Sequence, residues 1–237
     1  MDELKTYAVL LSGGVGSRMK SSANCPKQYL NVAGKPIYIY ALLAFEKCSA
    51  VTGIIIVAND SWIPAIKNDL EHFGISKVIG FANNGVTRQH SVFSGLQALA
   101  GIANDKDVVI LHDAARPLVD SELINACISK NRECDGVLPY ITVKDTVYES
   151  LDGQKVSRLL KRSTLCAGQA PESFVFGKYY QAHLKYKEDE IGQFSGSTEI
   201  AIENGMSICL IQGNERNFKI TTDEDLKRLE LFLEKEK

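Results

Sequence analysis

The chain reads as an α/β fold: a Rossmann-like, mostly parallel sheet with helices on both faces and a protruding β-hairpin arm. Three observations predict it. Apolar runs at residues 7–11, 53–58 and 108–111 have the composition of strands buried on both faces. The stretches between them carry apolar residues three to four positions apart, the spacing of amphipathic helices. Beyond residue 140 the rhythm changes to alternating polar and β-branched residues around Asp152-Gly153, a hairpin signature.

Taken in order, residues 7–11 form the first strand and 12–30 a glycine-rich loop. Residues 36–47, with Ile37, Tyr40, Ala41, Ala44 and Phe45 on one side, form a helix that leads to the buried strand 53–58. A helix over 61–73 stops at Gly74, and 77–79 form a short strand. Val92, Leu96 and Leu99 define a helix over 87–102 that delivers the strand ending before Asp113. A helix over 121–130, capped by Asp120 or Ser121, precedes a strand at 136–140. This βαβ alternation is the pattern of a parallel sheet. The hairpin over 142–165 cannot bury itself, since two strands alone are marginal in water, so it should lie on its own subunit or exchange with a neighbour.

At 237 residues, the chain fits one α/β domain over 1–237, with 142–165 as a subregion. A formal net charge of −2 gives no global attraction to nucleic acid or to an anionic membrane, so anion binding must come from local clusters such as Arg18, Lys20 and Lys27. No apolar stretch approaches the roughly 20 residues that span a bilayer, and the first five residues are acidic and polar, so a cytoplasmic protein is expected. The six cysteines include no Cys-x-x-Cys pair and suit reduced thiols better than a disulfide frame or a zinc site.

The loop carries the chemistry. Gly13, Gly14 and Gly16 let main-chain N–H groups approach phosphate oxygens, and Arg18 and Lys27 supply charge that lets an anion leave water. No Gly-Lys-Ser/Thr closes it as in the phosphate loop of ATPases, and Met19 stands where a dinucleotide fingerprint has its third glycine. A second apolar run ends in His112-Asp113-Ala114-Ala115-Arg116-Pro117, placing a carboxylate and a guanidinium at the carboxyl end of a buried strand, where ligands bind.

These two motifs, with Val143 to Val147, Arg162 followed by Gly168 to Phe174, and Asn217 to Leu226, resemble in order the cytidylyltransferases that act on methylerythritol phosphate or ribitol phosphate. The resemblance spans about residues 7–232. It implies a nucleotidyltransferase that uses CTP and a small polyol or sugar phosphate, and a homodimer in which the arm completes the partner's site. It also matches Lys219 to a lysine facing the α-phosphate, and Gly85 and Ser91 to a stretch that reads the cytosine. Arg116, Thr146 and Arg162 match positions that hold the acceptor.

Such a reaction brings two anions together at phosphorus and needs positioning and cations rather than a covalent nucleophile. Arg18, Lys27 and Lys219 are the catalytic candidates, and Ser12, Gly13, Gly14, Gly16, Gly85, Arg88 and Ser91 the nucleotide-binding ones. Mg2+ is the expected cofactor, with Asp113 as its carboxylate, because Mg2+ keeps its waters and takes few protein ligands. Asp113 as a helix cap or a structural partner of Arg116 is the competing reading. Arg88 either contacts the nucleotide loop or is only an N-terminal helix residue.

The acceptor is marked by departures. Methylerythritol enzymes often carry an acidic residue where Thr87 stands, a lysine where Tyr148 stands, and a Thr-Asp pair where Gly196-Ser197 align. Those absences, with residues 145–150 and 219–222, resemble the ribitol phosphate branch, whereas His112 to Pro117 resembles the methylerythritol one. Two rivals from other classes are a silent nucleotide-binding protein, disfavoured by Arg18, Lys27, Asp113, Arg162 and Lys219 occurring together, and a nicotinamide-dependent oxidoreductase, disfavoured by Arg18 and by Ala58-Asn59 at the end of the second strand.

Overall fold

The computed structural model describes residues 4–14 and 25–235. Strand β1 (Thr6–Leu11) opens the chain, and a 3-10 turn (Lys27–Tyr29) leads into the small hairpin β2 (Asn31–Val32) and β3 (Lys35–Pro36). There follow α1 (Ile37–Lys47), β4 (Gly53–Ala58), α2 (Ile63–His72), β5 (Val78–Asn83), α3 (Arg88–Leu99), β6 (Val108–Asp113), α4 (Ser121–Lys130) and β7 (Gly136–Thr142). The arm carries β8 (Tyr148–Glu149) and β9 (Arg158–Leu159). The chain then returns through β10 (Cys166–Gly168), β11 (Glu172–Val175), α5 (Phe176–His183), α6 (Glu188–Ile191), α7 (Ser197–Glu203), β12 (Ile208–Gln212) and α8 (Asp223–Lys235).

The sheet runs β5-β4-β1-β6-β11-β7-β12. Strands β5, β4, β1 and β6 are mutually parallel, β11 runs antiparallel between β6 and β7, and β12 is parallel to β7. β10 pairs with β7 ahead of a cis Ala170–Pro171 peptide.

Period-two alternation distributes the apolar runs between two cores. Ala8, Leu10, Ile54, Ile56 and Ile110 face α1, α2 and α4, where Tyr38, Leu42, Phe45, Ile66 and Ile124 pack. Tyr7, Val9, Ile55, Val57, Val109 and Leu111 face α3, α5 and α7, against Val92, Leu96, Tyr179 and Ile200. Helices therefore cover both faces, which is why these strands read as unbroken apolar runs. A third cluster, Val32, Ile37, Ala115, Ile220 and Leu229, seats α8 beside the end of β6.

Several elements differ from the sequence reading in extent. β5 runs to Asn83 rather than ending at residue 79, because pairing with β4 from Ile55↔Gly80 to Ala58↔Asn83 supplies the ladder that a half-buried edge sequence does not advertise. Residues 60–62 form a 3-10 turn ahead of α2, capped by Asn59, and Gly74 stops the chain after α2 with φ +65°, a left-handed conformation free of Cβ strain. Asp120, not Ser121, caps α4, accepting from the Leu123 amide at 2.8 Å. In the arm only Tyr148↔Leu159 and Glu149↔Arg158 pair, and Leu151 and Val156 are exposed.

Candidate active site

The parallel strands β1, β5 and β6 deliver their carboxyl ends to one cleft of about 470 Å³. Register makes this concrete: Leu11 pairs with Asp113, and Ala58 with Asn83, so the loops after β1, β5 and β6 emerge side by side. Gly13, Gly14, Lys27, Asn84, Gly85, Arg88, Ser91, Asp113 and Lys219 line the cleft. Distant parts of the sequence thus converge at the sheet edge where ligands bind in open α/β folds.

The glycine loop is braced from beneath. Gln28 Nε2 donates to the carbonyl oxygens of Ser12 at 2.6 Å and Gly14 at 2.9 Å. Ser12 is buried; its hydroxyl donates to the Tyr29 oxygen at 3.1 Å, and Tyr29 donates to the Ser12 carbonyl at 3.0 Å. Tyr29 in turn stacks on Trp62 with ring centroids 4.1 Å apart. The run Lys27-Gln28-Tyr29 therefore divides its labour: Lys27 lines the cleft while its two neighbours hold the loop. A Cβ on Gly13 would lie 2.2 Å from Asn84 Cβ, so glycine is what lets the loops after β1 and β5 touch.

Across the cleft, Thr87 caps α3, its side chain accepting from the His90 amide at 3.4 Å. Ser91 Oγ accepts from the Gly85 amide at 3.0 Å and donates to the Thr87 carbonyl at 3.1 Å, closing residues 85–91 into a compact loop. Gly85 and Ser91, matched to the cytosine-reading stretch, stand together at the cleft wall.

Asp113 is the electrostatic centre. Its Oδ1 lies 3.2 Å from Arg88 Nε; its Oδ2 lies 2.9 Å from Lys219 Nζ and 3.7 Å from Arg116 Nε. Burial would raise its pKa, but the charges of Arg88, Lys219 and Arg116 overturn that and hold the carboxyl well below the usual carboxylate range. The competing reading of Asp113 as a partner of Arg116 is thus part of a larger cluster. Arg116 is further held by the Asn217 carbonyl, to which its Nη1 donates at 2.7 Å. His112, beside it on β6, donates through Nε2 to the Arg116 carbonyl at 3.0 Å; burial pushes its pKa down to about 4, so it sits neutral as a structural brace.

Arg88 settles as more than a helix-start residue. Besides Asp113 it reaches Glu172 Oε1 at 3.5 Å and Ser197 Oγ at 2.5 Å. Glu172 and Ser197 carry no candidate role in the sequence motifs, although they lie within the stretches Gly168 to Phe174 and Gly196-Ser197. The signal that could have found Glu172 is a carboxylate amid the apolar residues that begin a buried strand, which demands a cationic partner. Burial raises the Glu172 pKa against the opposing charge of Arg88.

Thr146 and Arg162 are exposed on the arm and do not line the cleft of their own chain; Arg162 Nη1 donates to the Lys144 carbonyl at 2.6 Å. Gly16 and Arg18 lie outside the described residues. Among the described residues no group of three or more His, Cys, Asp or Glu side chains is placed to hold a metal, and no helix is long and apolar enough to cross a membrane.

Over residues 6–235 the chain matches the family model described as 2-C-methyl-D-erythritol 4-phosphate cytidylyltransferase. The chain belongs to this cytidylyltransferase family. It is 33% identical over 227 residues to a ribitol-5-phosphate cytidylyltransferase of Streptococcus agalactiae serotype V, covering 94% of this chain and 92% of that one. It is 35% identical over 233 residues to the 2-C-methyl-D-erythritol 4-phosphate cytidylyltransferase of Geobacter metallireducens, covering 97% and 98%. A crystal structure of 4-diphosphocytidyl-2C-methyl-D-erythritol synthase from Anaerococcus prevotii shares the fold, with a TM-score of 0.82 at 24% identity and coverage of 98% and 96%. The protein is accordingly a nucleotidyltransferase, and the cleft around Asp113 is the place in this cytidylyltransferase where glycine loop, cations and carboxylate meet.

Proposed function

We propose that the protein transfers CMP from CTP to an alditol phosphate, D-ribitol 5-phosphate, giving CDP-ribitol and pyrophosphate. The observation that carries the reading is the cation cluster of Arg88, Arg116 and Lys219 around Asp113, facing Lys27 and the glycine loop across one cleft. An oxygen of the acceptor phosphate forms a bond to the α-phosphorus, the bond from that phosphorus to the bridging oxygen breaks, and pyrophosphate leaves with the electron pair. A phosphate monoester needs no activated serine or cysteine to attack.

The chain's own residues supply charge and position. Lys27 and Lys219 face the α-phosphate, and Arg18 neutralises the leaving group. The main-chain amides of Gly13 and Gly14 cradle phosphate oxygens, and residues 85–91 hold the base. Asp113, kept ionised by its neighbours, would be the carboxylate that holds Mg2+. A single carboxylate at the cleft would suit that ion, which usually takes only one or two carboxylates, once Lys219 has left Oδ2. When bound, the ion adds Lewis-acid charge at the phosphates.

The acceptor assignment rests on chemistry at the departures. Ser197, where the methylerythritol pattern has its Thr-Asp pair, holds Arg88, and Thr87, where that pattern has an acid, is spent on capping α3. The second reading, 2-C-methyl-D-erythritol 4-phosphate as acceptor, is favoured by the run His112 to Pro117. In a homodimer, Thr146 and Arg162 reach the partner's acceptor site, which accounts for an arm bearing exposed Tyr148, Leu151, Val156 and Leu159. Comparing kcat/KM for ribitol 5-phosphate, methylerythritol phosphate, glycerol phosphate and pentose phosphates in a pyrophosphate-release assay tests the assignment. Ribitol 5-phosphate is expected to lead, and a preference for methylerythritol phosphate would overturn it.

A further inference from the structure

We infer that Lys219 is a built-in counter-ion that keeps a divalent cation off Asp113 in the nucleotide-free protein. The inference rests on the reading of Asp113 as the metal carboxylate. Its physical basis is competition for one oxygen: Lys219 Nζ lies 2.9 Å from Asp113 Oδ2, within the space that a cation on that oxygen would claim.

The three cations on Asp113 are not held alike. Arg88 is fixed by Asp113, Glu172 and Ser197 together. Arg116 is 13% exposed and tied to the Asn217 carbonyl. The ammonium of Lys219 has Asp113 as its partner among the described residues, its side chain is 32% exposed, and it lines the cleft. Its backbone is anchored all the same, since Ile220 is fully buried and its amide donates to the Ala115 carbonyl at 2.8 Å. The side chain of Lys219 is thus the one part of the cluster free to swing on a fixed base.

Charge counting gives the consequence. With Arg88, Arg116 and Lys219 in place, two carboxylates, Asp113 and Glu172, meet three cations, and a further divalent charge meets repulsion at contact distance. A triphosphate changes the balance, because it offers Lys219 an acceptor of higher charge across the same cleft. Lys219 then leaves Asp113 for phosphate, and the carboxylate is open only when the nucleotide is present.

The test is Mn2+ binding without nucleotide, read from the electron paramagnetic resonance signal of free Mn2+, for the unmodified protein, Lys219→Met, Lys219→Arg and the double variant Asp113→Asn/Lys219→Met. Lys219→Met should bind one Mn2+ about tenfold more tightly than the unmodified protein, since removing one unit charge at contact distance is worth at least that much. Lys219→Arg should keep the weak binding, and the double variant should lose the gain. Equal Mn2+ affinity for Lys219→Met and the unmodified protein would overturn the inference, as would a gain that survives Asp113→Asn. Failure of the cytidylyl-transfer reading is seen separately, as absent CTP-dependent pyrophosphate release by the unmodified enzyme.

Discussion

The side-chain amide of Gln28 donates to the Ser12 carbonyl at 2.6 Å, so the segment that carries Lys27 is stitched to the loop that starts at the end of β1. With the second bond to Gly14, one side chain fixes both ends of the described loop entrance. Gln28→Ala removes two hydrogen bonds worth about 1 kcal/mol each, and the KM for CTP should rise about 10- to 30-fold. Steady-state kinetics check this; the acceptor KM should stay within about twofold, because Gln28 braces the nucleotide side alone.

Arg88 holds two carboxylates at once; its loss strands Glu172, whereas Asp113 keeps Lys219 and Arg116. Arg88→Ala should lower stability by about 3–5 kcal/mol in urea unfolding, the usual cost of leaving a buried charge unpaired. Glu172→Gln keeps the shape and removes one charge, so it should cost about 1 kcal/mol or less and recover part of the loss when combined with Arg88→Ala. If both single variants proved equally destabilising, the cluster would not be organised around Arg88.

Acid should weaken the fold through two buried imidazoles. Burial pushes His112 and His183 down to about 4, against about 6.5 in the unfolded chain. Between those values the unfolded state binds protons that the native state refuses. The contribution is therefore fully present above about pH 6.5 and is lost as pH falls toward 4. Each histidine accounts for a loss on the order of 3 kcal/mol. Urea midpoints at pH 7, 5.5 and 4.5 should fall in step, and His183→Gln should flatten the slope. Asp113 stays ionised in the native state throughout this window. Because its carboxyl is held below the usual range, its contribution fades in the same direction only at the acid end, below about pH 5, where the unfolded carboxyl takes up protons.

The exposed apolar residues of the arm should be buried in a dimer. Leu151→Ser with Val156→Ser should shift sedimentation at micromolar concentration from dimer toward monomer, and activity should fall with the dimer fraction. Arg162→Ala should raise the acceptor KM about tenfold or more and leave the CTP KM nearly unchanged, as expected for one lost charge-assisted contact. A variant that affects only CTP would place Arg162 elsewhere.

Much of this was legible in the sequence, for physical reasons. Strands buried on both faces read as apolar runs, so β1, β4 and β6 announce themselves, and with them the loops that hold Gly13, Lys27 and Asp113. The edge strand β5 announced only its start, since half-buried Gly80 and Ala82 depend on β4 for their pairing. Residues after 168 carry motifs but no legible elements, because β11 is antiparallel, four residues long and set by its neighbours. Glu172 and Ser197 acquire meaning only through Arg88, 84 and 109 positions away, and no local pattern encodes such a contact. Gln28 and Tyr29 likewise brace Ser12 across a loop.

The central claim is that this cleft joins a nucleoside monophosphate to an alditol phosphate. Phosphorus NMR of a mixture of enzyme, CTP, Mg2+ and ribitol 5-phosphate tests it most directly. The account predicts paired diphosphate-ester resonances of CDP-ribitol growing together with pyrophosphate, at rates reduced about 100-fold or more by Lys27→Ala. Unchanged ribitol 5-phosphate under those conditions, or turnover that Lys27→Ala leaves intact, would contradict it.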